Sequence, residues 1–246
     1  MSKNSLSDNA FEEEYYLECE RRHVFFILMF VAGFYGAFTY TIRGGVFCNA
    51  QTANFVLFAM SLGEAKWHHA LYYLIPMTAY LLGAIVSESL PTSVKKVWPI
   101  RWDTLLILVE IVVVIILGLL PENVPFQVTQ VAINFICSMQ YNTFRQARGI
   151  PMATTFCTNH LRQTGISIVH AVKNPSDQNS FSRLIHHVGM LAIFVVGGIS
   201  STILCRYLLG KAIWVTLIPL TILLIDLLYA DLKTERAYLE QKPRGH

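Results

Sequence analysis

Two groups of hydrogen-bonding side chains interrupt an otherwise apolar chain: Asn49, Gln51, Thr52 and Asn54 in the first, and Thr154, Thr155, Thr158, Asn159 and His160 in the second. Neutral amides and hydroxyls orient a polar solute in a low-dielectric setting without the cost of burying a charge. If each group opens a half-helix inside a membrane, its free N–H groups and positive dipole end also suit an anionic group. The same side chains serve equally to cap broken helices or to bridge neighbouring ones. Arg43 and Arg148 stand just ahead of the two groups, placed either to attract an anion or to sit among lipid headgroups.

Glu110 lies in the run Leu-Val-Glu-Ile-Val, where an ionisable residue is expensive and faces protein or a cavity. It is a candidate for proton coupling, or for pairing with a polar group on a neighbouring helix. His68-His69 and His186-His187 are adjacent pairs, which point in different directions on a helix, unlike the i, i+4 pairs that hold a metal. They read as interfacial. Cys19, Cys48, Cys137, Cys157 and Cys205 include no CxxC pair, and neither GxSxG nor HExxH occurs. No catalytic residue, metal site or cofactor is expected.

The elements that position these residues follow from composition. Of 246 residues, 54% are hydrophobic and 14% charged, with mean hydropathy +0.45. Soluble domains carry about 25% charged residues, so the chain reads as an all-α integral membrane protein. A net charge of +3 without a basic stripe argues against a nucleic-acid partner. The first 22 residues are polar and partly acidic, a lead-in without the basic and apolar blocks of a cleavable signal.

Six blocks are long enough to cross about 30 Å of hydrocarbon: His23–Ile42, His69–Ser87, Thr104–Leu120, Phe126–Tyr141, Leu184–Leu204 and Ala212–Tyr229. Val46–Leu62 and Pro151–Ile168 carry the polar groups and either cross or dip and return. Treating both as crossings gives eight shorter spans and divides the 19 Lys and Arg residues almost evenly between the two sides. Treating both as dips leaves only Arg43, Lys66, Arg206 and Lys211 outside, which fits the preference of basic residues for the cytoplasmic face far better. Six spans plus two re-entrant segments is therefore the expected layout, multi-pass in the cell membrane, with both termini cytoplasmic. Trp67, Tyr72, Trp98, Trp102, Tyr207, Trp214 and Tyr229 fit an interfacial aromatic belt.

The layout repeats. After a cytoplasmic lead (1–22), residues 23–120 and 126–230 each comprise a span, a polar dip and two more spans; Pro121–Pro125 connects them and 231–246 form a cytoplasmic tail. Three crossings per half is an odd number, so the second half enters inverted, as in transporters whose broken helices meet near the midplane. Arg43-Gly44 matches Arg148-Gly149 at an offset of 105, whereas an offset of 106 pairs Thr52 with Thr158 and Asn54 with His160.

The stretch Gly44-Gly45-Val-Phe-Cys-Asn-Ala-Gln-Thr-Ala-Asn54 resembles the YoaK-like family of bacterial membrane proteins of unknown function, in which a double glycine precedes NAQTGN. Thr154-Thr155-Phe156-Cys157-Thr158-Asn159-His160-Leu161-Arg162 is similar to the family's second motif, TTxCTGNLR, and Met139–Arg145 resembles the polar end of the span before it. Ala53 replaces one motif glycine and Asn159-His160 stands where the family has Gly-Asn. The resemblance covers about residues 23–230 and implies no particular reaction.

The expected function is a small secondary transporter or channel-like protein, not an enzyme, for a small polar solute of neutral or anionic character held between the two dips. The alternatives are a membrane-embedded enzyme acting on a lipid or quinone, and a non-transporting scaffold or sensor. Membrane lipid and the solute are the expected partners. Gly33 with Ala37 and Gly197 with Ser201 form small-residue faces that permit close helix contact, within the chain or in a homodimer.

Overall fold

The computed structural model describes residues 16–90, 99–175, 177–239, 241 and 243. Most of the polar lead, Lys95, Lys96 and Trp98, and Lys242 and Arg244 of the tail lie outside the described residues. The helices are α1 (Arg22–Ile42), α2 (Gln51–Gly63), α3 (Trp67–Ser89), α4 (Trp102–Leu119), α5 (Phe126–Thr143), α6 (Thr158–Lys173), α7 (Gln178–Leu208) and α8 (Leu217–Tyr229). A 3-10 segment, Leu209–Thr216, joins α7 to α8. One departure from an all-α chain is a small antiparallel hairpin after α5, pairing Gln146–Ala147 (β1) with Ile150–Pro151 (β2).

Four helical runs are long and apolar enough to cross a membrane: Arg22–Ile42, Trp67–Ser89, Trp102–Leu119 and the continuous run Gln178–Thr234. The last contains two expected spans, because the chain keeps helical hydrogen bonding while it reverses at Leu209, whose φ is +49°. α5 falls short on composition alone. Thr129, Gln130, Asn134, Ser138, Gln140 and Thr143 all lie on it and all are buried, so its polarity faces protein. Both polar stretches begin later as helices than their apolar character suggested, at Gln51 and Thr158, since the residues before them are drawn into irregular inward turns.

Hydrogen bonds sort the helix ends into two sets. At one end, here the near end, Arg22 at the start of α1 reaches Ser182 on α7, Ser87 on α3 meets Thr143 on α5, and Trp102 on α4 donates to Thr143. Arg101 binds Asp231 and Glu235 beyond α8 at the same end, and the hairpin joins it through the Arg148 N–H to the Glu20 carbonyl. At the far end, Gln130 on α5 donates to the Arg43 carbonyl, Tyr72 on α3 donates to the Gly44 carbonyl, and Glu122 holds both Arg43 and the Gly210 N–H. α1 and α7 therefore run together from near to far, and α3 and α5 run together from far to near.

These two parallel pairs form the packed centre of the molecule, with α2 against α3, α6 against α7, and α4 against the 3-10 segment and α8. The pairs approach as closely as backbones allow. A Cβ on Gly33 would lie 2.1 Å from the Phe194 carbonyl oxygen, one on Gly197 2.1 Å from that of Phe30, and one on Gly83 2.3 Å from that of Phe135. The small-residue faces read from the sequence thus meet each other within the chain. Gly197→Ala is expected to lower the thermal midpoint of the detergent-solubilised protein, reflecting about 1–3 kcal/mol of overpacking. Gly165→Ala, whose added carbon meets nothing within 4 Å, is expected to leave the midpoint unchanged or higher, in keeping with helix propensity.

Candidate functional site

The first break is built from the end of α1. Gly44, at φ +85°, turns the chain back under Tyr72, whose hydroxyl would lie 2.0 Å from a Cβ there. The chain then descends along α1 until Asn49 donates to the Ala32 carbonyl at 3.0 Å, halfway down that helix. Asn54 closes the loop from inside α2, its carbonyl oxygen accepting from the Phe47 N–H at 3.1 Å and its amide donating to the Phe47 carbonyl at 2.7 Å. Gln51 donates to Asn134 on α5 at 2.8 Å, Asn134 donates to the Gln130 carbonyl, and Gln130 donates to the Tyr72 hydroxyl. Three of the four polar residues of the first stretch, Asn49, Gln51 and Asn54, hold the break in place. Thr52 lies exposed on α2.

The second break follows the same plan at the opposite end. After the hairpin the chain turns inward past Gln140, which donates to the Thr154 carbonyl at 3.5 Å. His160, buried in the first turn of α6, contacts the Ala153 carbonyl through Nε2 at 2.7 Å. A carbonyl only accepts, so Nε2 carries the hydrogen. Nδ1 is then left to accept from Nδ1 of His187 on α7, at 3.0 Å. Contrary to its interfacial reading, His187 is buried, packed against His160 of α6. Asn159 accepts from Arg162 at 3.2 Å and is half-buried.

Between the breaks lies a cavity of 750 Å³, walled by α1 and α7. The first break contributes Phe47, Asn49 and Ala50, and the second contributes Thr155, Phe156, Cys157 and Thr158. No charged side chain lines it among the described residues. Both broken helices begin at its edge, and neither Ala50 nor Cys157 caps its helix with a side chain. Thr154 and Thr155 are fully buried; the Thr155 hydroxyl is set against the Tyr80 phenol, and the Thr154 hydroxyl has no hydrogen-bond partner among the described residues. Of the sequence candidates, the cavity brings together Asn49, Thr155 and Thr158; Gln51, Thr52, Asn54, Thr154, Asn159 and His160 lie outside its lining.

Two further cavities lie toward the ends. The far one, 490 Å³, shares Tyr40 and Thr41 with the central cavity and is lined by Arg43 and Glu122. The near one, 340 Å³, shares Phe156 with it and is lined by Asn142, Arg145 and Asn159. Aromatic pairs stand at both divisions: Tyr40 stacks on Phe47 with centroids 4.5 Å apart, and Tyr141 meets Phe156 at 4.7 Å. Sequence reading passed over these aromatics, since nothing in their spacing separates them from core residues.

Arg43 is buried and pairs with Glu122 at 2.8 Å, while Arg148 lies on the hairpin turn and lines none of these cavities. Arg145 instead occupies the near mouth, paired with Glu88 at 2.9 Å. Its place at the polar end of α5 was the available signal. Glu110 is fully buried behind α1, outside the lining of the central cavity, with its carboxyl set against the Tyr35 phenol. The described His, Cys, Asp and Glu residues include no group of three that could hold a metal.

A carboxylate buried this deeply opposite a single phenol is a cost that a neutral isostere lowers. Glu110→Gln is therefore expected to leave the thermal midpoint unchanged or higher; a marked fall would mean that the carboxyl makes a required contact. The hydrogen bond from Arg43 holds the Glu122 carboxyl below its ordinary range. That pair stabilises the fold above the ordinary carboxylate pKa and stops doing so as pH falls through the lower folded value. Glu122 is half exposed, so the effect is at most about 1 kcal/mol and weakens with salt. Glu122→Gln is expected to flatten the acid side of the stability profile measured by thermal unfolding across pH.

No curated protein matches the chain, and no solved structure does. The family described as a protein of unknown function, DUF1275, matches residues 24–225. With the match running from the start of α1 into α8 and so taking in both breaks and the cavity between them, the chain belongs to the DUF1275 family.

Proposed function

We propose that this protein is a small secondary transporter or channel-like protein, not an enzyme, that passes a small polar solute through the central cavity. The observation that carries this reading is the set of three open hollows at the two helix breaks, each sharing lining residues with the next, with Tyr40–Phe47 and Tyr141–Phe156 at the shared walls. Irregular backbone at membrane depth is tolerated where it is buried in protein or lines a water-filled space. Aromatic pairs at both divisions suit a carrier that opens one mouth at a time.

In this reading the chain crosses the membrane six times in two inverted halves, with both termini on the cytoplasmic side of the cell membrane. α1 on α7 corresponds to α5 on α3, and α2 on α3 to α6 on α7. The offset of 105 pairs Phe30 with Phe135 and Gly33 with Ser138, the residues at the closest helix approaches. The offset of 106 pairs Phe47 with Ala153 and Asn54 with His160, the residues that close the two loops. A one-residue difference between the halves reconciles the two registers. The far end holds Arg43, Lys66, Arg206 and Lys211, whereas the near end is rich in Arg and Lys, which supports a cytoplasmic near end. Glu110 is a proton-coupling candidate that would act through Tyr35 and α1, without touching the solute.

Two cysteine experiments test this. In a cysteine-free background, Lys66→Cys and Lys173→Cys are expected to react with a membrane-impermeant thiol reagent from opposite faces of sealed vesicles; labelling from one face only would overturn the inverted arrangement. With Cys157 as the sole cysteine, an impermeant reagent in water is expected to reach the central cavity. Full protection of Cys157 from both faces, with labelling restored on unfolding, would overturn solute passage.

A further inference from the structure

We propose that the near cavity binds an organic monocarboxylate, whose carboxylate takes the place of Glu88 on Arg145 and Asn142 while its apolar body lies against Tyr141, Met152 and Phe156. The inference deepens the transporter reading by naming a substrate class, and rests on it for passage though not for binding.

The two donors already hold a carboxylate of this chain. Arg145 Nη2 and Asn142 Nδ2 both donate to Oε2 of Glu88, at 2.9 and 3.0 Å. Arg145 and Asn142 line the near cavity, whereas Glu88 lies outside its lining. The guanidinium is positioned by α5 itself, since Nε donates to the Asn142 carbonyl at 2.7 Å and Nη2 to the Asn142 side-chain oxygen at 2.6 Å. Glu88 is held less firmly. Its side chain is 70% exposed, and an exposed ion pair contributes about 1 kcal/mol or less. It also sits in the last turn of α3, where the negative end of the helix dipole disfavours a carboxylate. Exchanging Glu88 for a solute carboxylate therefore keeps the charge-assisted hydrogen bonds and gives up little.

Charge and shape then select the ligand. The far cavity is lined by Arg43 together with Glu122, and the central one by no charged side chain among the described residues. The near cavity alone of the three is lined by an arginine with no acidic side chain beside it among the described residues. One guanidinium matches one carboxylate, and its planar fork suits that group. A second negative charge would be desolvated without a partner. The remaining wall is largely apolar, with Tyr141, Pro151, Met152 and Phe156, so an inorganic anion would leave most of the 340 Å³ facing rings and a thioether. A polyol would strand its hydroxyls there. Phe156 also lines the central cavity, so a body bound here abuts the wall between the two. The same chemistry is available from water as a free organic acid and from the bilayer as a fatty acid.

The test uses the full chain, in detergent for equilibrium dialysis and thermal unfolding and in phosphatidylcholine proteoliposomes for uptake. The probes are benzoate, its neutral analogue benzamide, sodium chloride at equal ionic strength, and oleate added to the bilayer. Benzoate is expected to bind and to raise the thermal midpoint, while benzamide and chloride do neither. Glu88→Gln, which removes the competing carboxylate, is expected to tighten benzoate about threefold. Arg145→Gln is expected to weaken it about tenfold, the loss of a hydrogen bond between charged groups. A purely structural ion pair predicts no gain in affinity from Glu88→Gln. Benzoate binding that is unchanged or weaker in Glu88→Gln, binding that survives Arg145→Gln, equal binding of benzamide, or binding of neither acid would overturn the proposal. Binding of oleate alone, with the same dependence on Glu88 and Arg145, would support the ligand class and assign the bilayer as its source. If impermeant reagents reach Cys157 but neither acid binds, the substrate class fails and passage stands. If benzoate binds in the expected pattern but proteoliposomes do not take it up and Cys157 stays protected from both faces, passage fails and the carboxylate site stands.

Discussion

A helix can stop halfway through an apolar slab only if its freed backbone groups find partners that travel with them, and the architecture follows from that constraint. Each unsatisfied N–H or C=O in hydrocarbon costs several kcal/mol. Asn54 meets the requirement at the first break by offering Phe47 both halves of a peptide-like pairing. His160 meets it at the second by binding the Ala153 carbonyl, and is itself held by His187. Once the loops are closed in this way, α1 and α7 must lie backbone to backbone to enclose them, as must α3 and α5. Glycine at positions 33, 83 and 197 is what allows that approach. The polar residues of α5 fit the same logic: Gln130 and Asn134 face inward because the first break needs them.

The near end is tied by a different means. Arg101 is buried with Asp231 and Glu235, its guanidinium 2.5 Å from Glu235, and Thr104 donates to Asp231 at 2.7 Å. The Glu18 N–H donates to Glu235 as well, so the chain before α1, the start of α4 and the chain after α8 share one cluster. Charges taken out of water this far recover their desolvation cost only with good geometry and several hydrogen bonds each. The far end has a lighter tie, in which Arg43 and the Gly210 N–H share the partly exposed Glu122. A tie through one partly exposed carboxylate gives way at less cost than a buried cluster, which leaves the far end resting also on the bonds of Gln130 and Tyr72 to the Arg43 and Gly44 carbonyls.

Much of this architecture could be read from the residues because membrane-crossing helices declare themselves by length and apolarity, and α1, α3 and α4 did so within a residue or two at most boundaries. The dips were marked by their polar residues, but whether those residues bind or brace was not. That ambiguity does not arise for the aliphatic spans. It arises for amides, which look alike in sequence whether they line a cavity, as Asn49 does, or close a backbone loop, as Asn54 does. The His187 contact was hidden because it joins residues 27 apart across α6 and α7, and it depends on the register in which those two helices pack. The aromatic divisions were hidden for a related reason: Phe156 acquires a role only once Tyr141 and two cavities flank it.

The halves also differ in how completely their breaks are paired. In the first half the amides of Asn49, Gln51 and Asn54 all have partners, which makes that break a fixed wall. In the second half the Thr154 hydroxyl is buried and unpaired among the described residues, and the loop-closing residue is a histidine that shares a hydrogen with another histidine. Unpaired polar atoms persist in a native interior where something outside the chain completes them or where a second arrangement pairs them. The first break is thus fixed by paired amides, while the second keeps hydrogen-bonding capacity to spare.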